Sequence, residues 1–291
     1  MNRRAFVAGM AALAVLPAAA NADPFTRGLL WRVTKQGGAP SHVFGTIHDP
    51  DPRLAELPVP VRGALARSKS LMVEFLPDAY AQERFLEAAL FSDRQTLEQH
   101  VGAADFARVL DELAPIGLSR EFVNKLKPWG VLLNLRAPRP VHATTVDSQL
   151  VELARQRRML IGQIEGVEEQ IFTFDECPLE SQVALLRHSL AHRSEILDLA
   201  RRTVDAYLER DLSAIWLLRE QFAARYPEIA PHQAVMTKRV LHDRSVVMAY
   251  RMQRELRRGE AFVALGALHL HGRRGVLALL EQDGYRATRV F

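Results

Sequence analysis

Two apolar, β-branched segments near opposite ends of this chain run into the same short pattern, and together they restrict the folds open to it. In "SHVFGTIHDP", residues 41–50, the pattern is Gly45 and His48; in "AFVALGALHLHG", residues 261–272, it is Gly266 and His269, 221 positions further on. Both runs read as strands. The sequence between them carries apolar residues every three or four positions, most continuously over 168–258, as in "SQVALLRHSLAHRSEILDLARRTVDAYL", and that spacing reads as helix. Strands at both ends around helices predict an α/β fold, with a mixed central sheet built from the N- and C-terminal segments and a helical insertion packed on it. "LLWRVTK" and "SHVFGT", joined by "QGGAP", predict a hairpin, while "SLMVEF", "LIGQIE" and "YRATRVF" supply further strands. Helices are expected over "QERFLEAALF", "FARVLDELAPIG", "DSQLVELARQRRM" and "RRGVLALLEQDG".

The first 22 residues are read apart from this fold. Arg3 and Arg4, a short apolar segment and the ending Ala20, Asn21, Ala22 predict a signal peptide cleaved after Ala22; the arginine pair followed by Phe6 also fits a twin-arginine signal. Residues 23–291 are then one domain of a periplasmic or secreted protein. No later run of 18 apolar residues offers a stable membrane span. Losing the leader removes two arginines and no acid, taking the formal charge from +4 to +2, so nothing in the charge balance points to a nucleic-acid partner. One cysteine, Cys177, permits no internal disulfide.

Ligands of α/β sheets collect beyond the carboxyl ends of the strands. Four segments place a polar group there: His48 after "VFGTI", Glu74 in "LMVEF", Glu165 in "LIGQIE" and His269 after "FVALGAL". Gly45 and Gly266, each three positions before a histidine, allow the backbone to turn sharply or to approach a neighbour. Two histidines with one or two carboxylates suffice for a divalent metal with open positions. Each residue also has an ordinary role, the histidines as hydrogen-bonded strand-end residues and the glutamates as salt-bridge partners. Glu74, inside so apolar a run, is costly unless paired or coordinated. His271 would face the opposite side if its strand continued. His188 and His192 lie four apart on one predicted helix, without the glutamate of an HExxH motif.

Taken together, "LLWRVTKQG", "VFGTIHDPDPRLAELP", "LMVEF", "LKPWGVLLNL", "IGQIEGVEEQ", "DRSVVMA" and "AFVALGALHLHGRRGVLALLEQDGYRATRV" resemble the TraB/GumN family over about residues 29–290. That family is similar to the Tiki metal-dependent proteases and more distantly to erythromycin esterases and ChaN lipoproteins. The resemblance maps the family's two GxxH motifs onto Gly45, His48, Gly266 and His269, and its acidic strand end onto Glu74. It departs at Ser245, where many members follow the arginine with Asn, and at Thr145, where many have Gly before x-Asp.

The resemblance implies a metal-dependent hydrolase acting on peptide bonds or on a small molecule. His48, Glu74 and His269 would hold a divalent Zn, Mn or Co ion, the Tiki likeness favouring Mn or Co. Glu165 would be the general base and Arg244 the stabiliser of the developing oxyanion, with the two glutamates able to exchange roles. Two other classes stay open: a binding module that captures a peptide or small ligand without cleaving it, and a metal-free, esterase-like hydrolase in which one histidine activates water.

Overall fold

The computed structural model describes residues 23–135 and 144–291; the signal peptide read over residues 1–22 lies outside them. Strands β1 (Leu30–Thr34) and β2 (Ser41–Thr46) form the expected hairpin, with Leu30 opposite Phe44 and Val33 opposite Ser41. Four more strands complete the sheet: β3 (Ser70–Val73), β4 (Leu160–Gln163), β5 (Ala261–Gly266) and β6 (Arg286–Arg289). Their order is β4-β3-β5-β2-β1-β6. β6 closes antiparallel on β1, as β2 does on its other side, whereas β4, β3, β5 and β2 run parallel to one another. The fold is therefore mixed α/β, and segments from the two ends of the chain share one sheet.

Burial follows from this order. Helices cover both faces at the centre, so β5 is apolar along its length, with Ala261 to Leu265 fully buried. β4 is an edge, and its Leu160 is exposed. The helices do not all rest on the sheet. Those between 97 and 135 pack with helix Leu179–Ala191 around Phe106, Trp129 and Leu186, which form a second core. Trp129 closes it: the ring is buried and its Nε1 donates to Asp175 Oδ1 at 2.9 Å, as does Lys127 Nζ at 2.6 Å. Among the described residues no helix is long and apolar enough to cross a membrane.

The strands before the two histidines have the bounds of "SHVFGT" and "AFVALG". β2 stops at Thr46 and β5 at Gly266, and the chain after β5 tightens into a 3₁₀ turn, Ala267–Leu270. His269 thus projects from a turn, and His271 leaves the sheet to stack on Trp216 with ring centroids 5.8 Å apart. The turn lies directly against β2. A Cβ at Gly45 would stand 3.0 Å from both Ala267 Cα and Leu270 Cδ1, so the absence of a side chain is what lets the two chain ends meet.

Gly45→Val should therefore cost about 1–3 kcal/mol by overpacking and lower the midpoint of urea unfolding. Gly63→Ala, in helix Val59–Ala66 and near only the flexible end of Arg67, should be neutral or stabilise by up to about 1 kcal/mol. Equal effects at the two sites would contradict this account of the contact.

Candidate functional site

The carboxyl ends of β2, β3, β4 and β5 open on one edge because these four strands run the same way. Glu74 follows β3 directly, His269 lies in the turn after β5, Glu165 lies two residues beyond β4, and His48 two beyond β2. Glu74, Glu165 and His269 are buried, at 7%, 4% and 5% exposure. Arg244 reaches them from the helical layer. It begins helix Arg244–Arg258, directly after a π-helical turn over Lys238–Asp243, a widened coil of the kind that often marks functional positions.

Arg244 binds both carboxylates. Its Nη2 donates to Glu74 Oε2 and to Glu165 Oε2, each at 2.7 Å, and its Nε donates to Glu165 at 3.0 and 3.2 Å. Gln170 Nε2 adds a bond to Glu165 Oε2 at 2.6 Å, and the Gly266 amide donates to Glu74 Oε1. Burial acts to raise the pKa of Glu74, but the charges of His269, Arg244 and His48 with the Gly266 bond outweigh it and hold it down to about 2. At Glu165 burial prevails over Arg244 and pushes the pKa up. One guanidinium between two carboxylates leaves the cluster short of positive charge.

His269 faces this cluster. Ser245 Oγ lies 2.8 Å from both Leu241 O and His269 Nδ1; taking its proton as donated to Leu241 O, it accepts from the ring, and we assign the ring proton to Nδ1 on that basis. Nε2 then carries a lone pair and stands 3.7 Å from Glu74 Oε1. Burial pushes the pKa of His269 down to about 4, against the opposing pull of Glu74, so the ring is neutral near pH 7. Gly266 keeps the pair close: a Cβ there would lie 3.2 Å from Glu74 Oε1.

His48 is held separately. Its Nδ1 lies 2.9 Å from Asp147 Oδ2, while Thr46 Oγ1 donates to Asp147 Oδ1 at 2.9 Å. Asp147 sits in the first turn of helix Val146–Gln156. His48, half exposed, and Glu74 line two adjoining cavities. One, of about 310 Å³, is also walled by Thr46, Arg244 and His269; the other, of about 510 Å³, by Thr145, Asp147 and Gln170. Both are within the size range of ligand pockets.

The structure brings Glu74, Glu165, Arg244 and His269 into direct or one-step contact, with His48 on the same cavity wall as Glu74. Glu165 stands behind Arg244 and lines neither cavity. Among the described residues no three His, Cys, Asp or Glu side chains converge closely enough to hold a metal ion. The facing pair of Glu74 and His269 does fit a cation, because two lone-pair atoms 3.7 Å apart lie within the span of two ligand bonds of about 2 Å. Each histidine also has its Nδ1 fixed by a partner, which is how metal-ligating imidazoles are oriented. Two contributors escaped the sequence reading, Asp147 and Ser245. Asp147 had been visible as the acid of the Thr145, Val146, Asp147 turn, and Ser245 as the residue in place of Asn, but neither position showed that it would orient a histidine. His188 and His192 lie elsewhere, packed on Tyr226.

The sequence model of the TraB/PrgY/gumN family matches residues 29–289. Among curated proteins, the uncharacterized protein YbaP of Shigella flexneri is 22% identical over 250 residues, which cover 82% of this chain and 87% of that protein. No solved structure matches.

Arg244→Met leaves two buried carboxylates facing each other and should destabilise the fold by about 3–5 kcal/mol; adding Glu165→Gln should recover part of the loss in urea unfolding. Folded His269 binds a proton less readily than the unfolded chain, so the unfolded state holds more protons between about pH 6.5 and 4 and stability falls as pH drops through that window. His269→Asn should remove a part of that slope worth on the order of 3 kcal/mol; an unchanged slope would refute the assignment of a neutral, buried ring.

Proposed function

We propose a hydrolytic role for this chain, which belongs to the TraB/PrgY/gumN family. It is a metal-dependent hydrolase, exported by its leader to the periplasm, and its substrate is a peptide. The observation that carries the metal reading is the facing of two acceptors, His269 Nε2 and Glu74 Oε1, across 3.7 Å. With the ring proton on Nδ1 and the carboxyl ionised, a cation between them relieves the repulsion of their lone pairs. His269 and Glu74 would hold a divalent ion, with His48 from the same wall as the third ligand. Zn, Mn or Co suits such mixed His and carboxylate ligation. When bound, the ion supplies Lewis acidity toward a carbonyl and a more acidic water.

The chain's own groups do the rest. Arg244 keeps Glu74 ionised and fixes its direction. Its recorded bonds to Glu74, Glu165 and the Val240 carbonyl engage four of its five N–H groups, which suits holding two carboxylates better than meeting an oxyanion. Glu165, bound through both oxygens, acts in this reading as the anchor of Arg244 rather than as the general base. Thr46 and Asp147 hold Nδ1 of the His48 ring, which leaves its Nε2 for the ion. The peptide preference rests on the likeness to the Tiki proteases.

The Asp147–His48 pair supports a second reading. A carboxylate on Nδ1 orients an imidazole to remove a proton from water with its other nitrogen, which is the metal-free, esterase-like mechanism. Digestion of a peptide library by the protein loaded with Mn, Co or Zn distinguishes the two. Activity should vanish with chelator and return with metal. It should fall by about 10²–10⁴-fold in Glu74→Gln and His269→Ala, each with reduced metal content. Chelator-resistant cleavage lost in Asp147→Asn and His48→Ala would favour the second reading, and no cleavage by metal-loaded protein would reject both.

A further inference from the structure

The smaller cavity contains a second guanidinium whose surroundings contrast with those of Arg244. Arg219 comes from helix Leu212–Ala224 in the helical layer and lines the same cavity as Glu74, His48 and His269. Arg244 is neutralised by two carboxylates. Arg219 has one recorded hydrogen bond, from Nη2 to Thr237 Oγ1 at 3.3 Å, and among the described residues no carboxylate is recorded in an ion pair with it. The walls beside it are largely apolar: Ile47, Ile215, Met236, Val240 and Leu268. The side chain is accessible, yet crowding by protein lowers its pKa, opposed only by the charge of neighbouring Glu220. A cation in such a wall, with a hydroxyl as its protein partner, has unused hydrogen-bonding capacity that suits an anion.

The charge of the cavity is thus divided. Its sheet edge carries the acidic, cation-seeking cluster of Glu74 and His269; its helical side carries Arg219. A substrate that presented a carboxylate to the sheet edge would meet Glu74, whereas one that placed it at Arg219 would set a neutral portion of the molecule at the cluster. We propose that Arg219 anchors a carboxylate of the substrate, and thereby selects peptides that carry one close to the bond to be cleaved. This rests on the hydrolase reading for what happens next, but the binding itself does not. The carboxylate has two sources, the free C-terminus of a peptide or an acidic side chain, and both present the planar pair of oxygens that a guanidinium grips through two N–H groups.

Three dansyl tripeptides test the idea by fluorescence titration with chelator present, so that binding is read without turnover: Ala-Leu-Leu free acid, Ala-Leu-Leu amide and Ala-Leu-Glu amide. One or both of the carboxylate-bearing peptides should bind about tenfold or more tighter than the neutral amide, the size expected of a charged hydrogen bond. The better of the two identifies the source. Arg219→Gln should bring the three within about twofold of each other, and Arg219→Lys should keep part of the preference; matching thermal midpoints show that both variants fold. Equal binding of all three by the unaltered protein, a preference that survives Arg219→Gln, or no binding of any of them overturns the proposal. Cleavage without carboxylate preference would sink this inference and leave the hydrolase standing, and preference without cleavage the reverse.

Discussion

A guanidinium held between two buried carboxylates is the interaction on which the rest of this site depends. Glu74 and Glu165 end neighbouring parallel strands, and the geometry of the sheet alone would bring two like charges together in a place poor in water. Arg244 turns that repulsion into a fixed arrangement by bonding both. The consequence reaches beyond stability. With Arg244 on Oε2, Glu74 is left with Oε1 directed at His269, and the Gly266 amide pins that same oxygen from behind. The carboxylate can neither rotate away nor readily take up a proton, so it meets the imidazole as an anion in a set direction. A buried ion network is weak evidence for stability; here its clearer effect is to orient one oxygen.

The sheet makes this possible through strand direction. Histidines 221 residues apart in sequence reach one cavity because β2 and β5 are adjacent and parallel, with Thr46 opposite Gly266. The two motif glycines then act differently. Gly45 admits the backbone of the turn that carries His269, whereas Gly266 leaves room for the carboxylate of Glu74. Neither has a left-handed backbone; both are needed for closeness. The Gly-x-x-His repeat is therefore two solutions to one packing problem, how to bring a loop and an acidic side chain within a few ångströms of a strand.

Much of this was legible in the sequence, because strands and helices announce themselves by local periodicity and because polar residues at the ends of apolar runs stand out. The six strands, the hairpin and the placing of Glu74, Glu165 and His269 at strand ends belong to that class, whereas Arg244 was singled out by the family resemblance alone. What could not be read depends on partners distant in sequence. Asp147 looks like any acidic residue in the first turn of a helix, and its bond to His48 exists only once helix Val146–Gln156 lies beside the end of β2. Ser245 reads as a lost amide, yet its hydroxyl bridges Leu241 O and Nδ1 of His269 and so orients the ring. The turn after β5 was hidden as well: "AFVALG" marks the strand, but nothing in "ALHL" shows that it turns back against Gly45. The separate core around Trp129 escaped for a related reason, since apolar stripes show that a helix is covered but not by what.

The two layers of the molecule then divide the work in a way that follows from their rigidity. The acidic cluster sits on strand ends that hydrogen bonds lock to both neighbours, so its spacing is set by the sheet and tolerates little adjustment. Arg219 and the apolar Ile215, Met236 and Val240 come from helices, where one substitution changes the shape or charge of the cavity without shifting a strand. Chemistry that needs positions accurate to fractions of an ångström gains from the first layer, and selection among substrates, which needs only a complementary group within reach, can be left to the second. Both arginines come from helices, yet Arg244 is held by two carboxylates of the sheet edge and is consumed in building the site, whereas Arg219, with no carboxylate in an ion pair with it among the described residues, is available to what enters it.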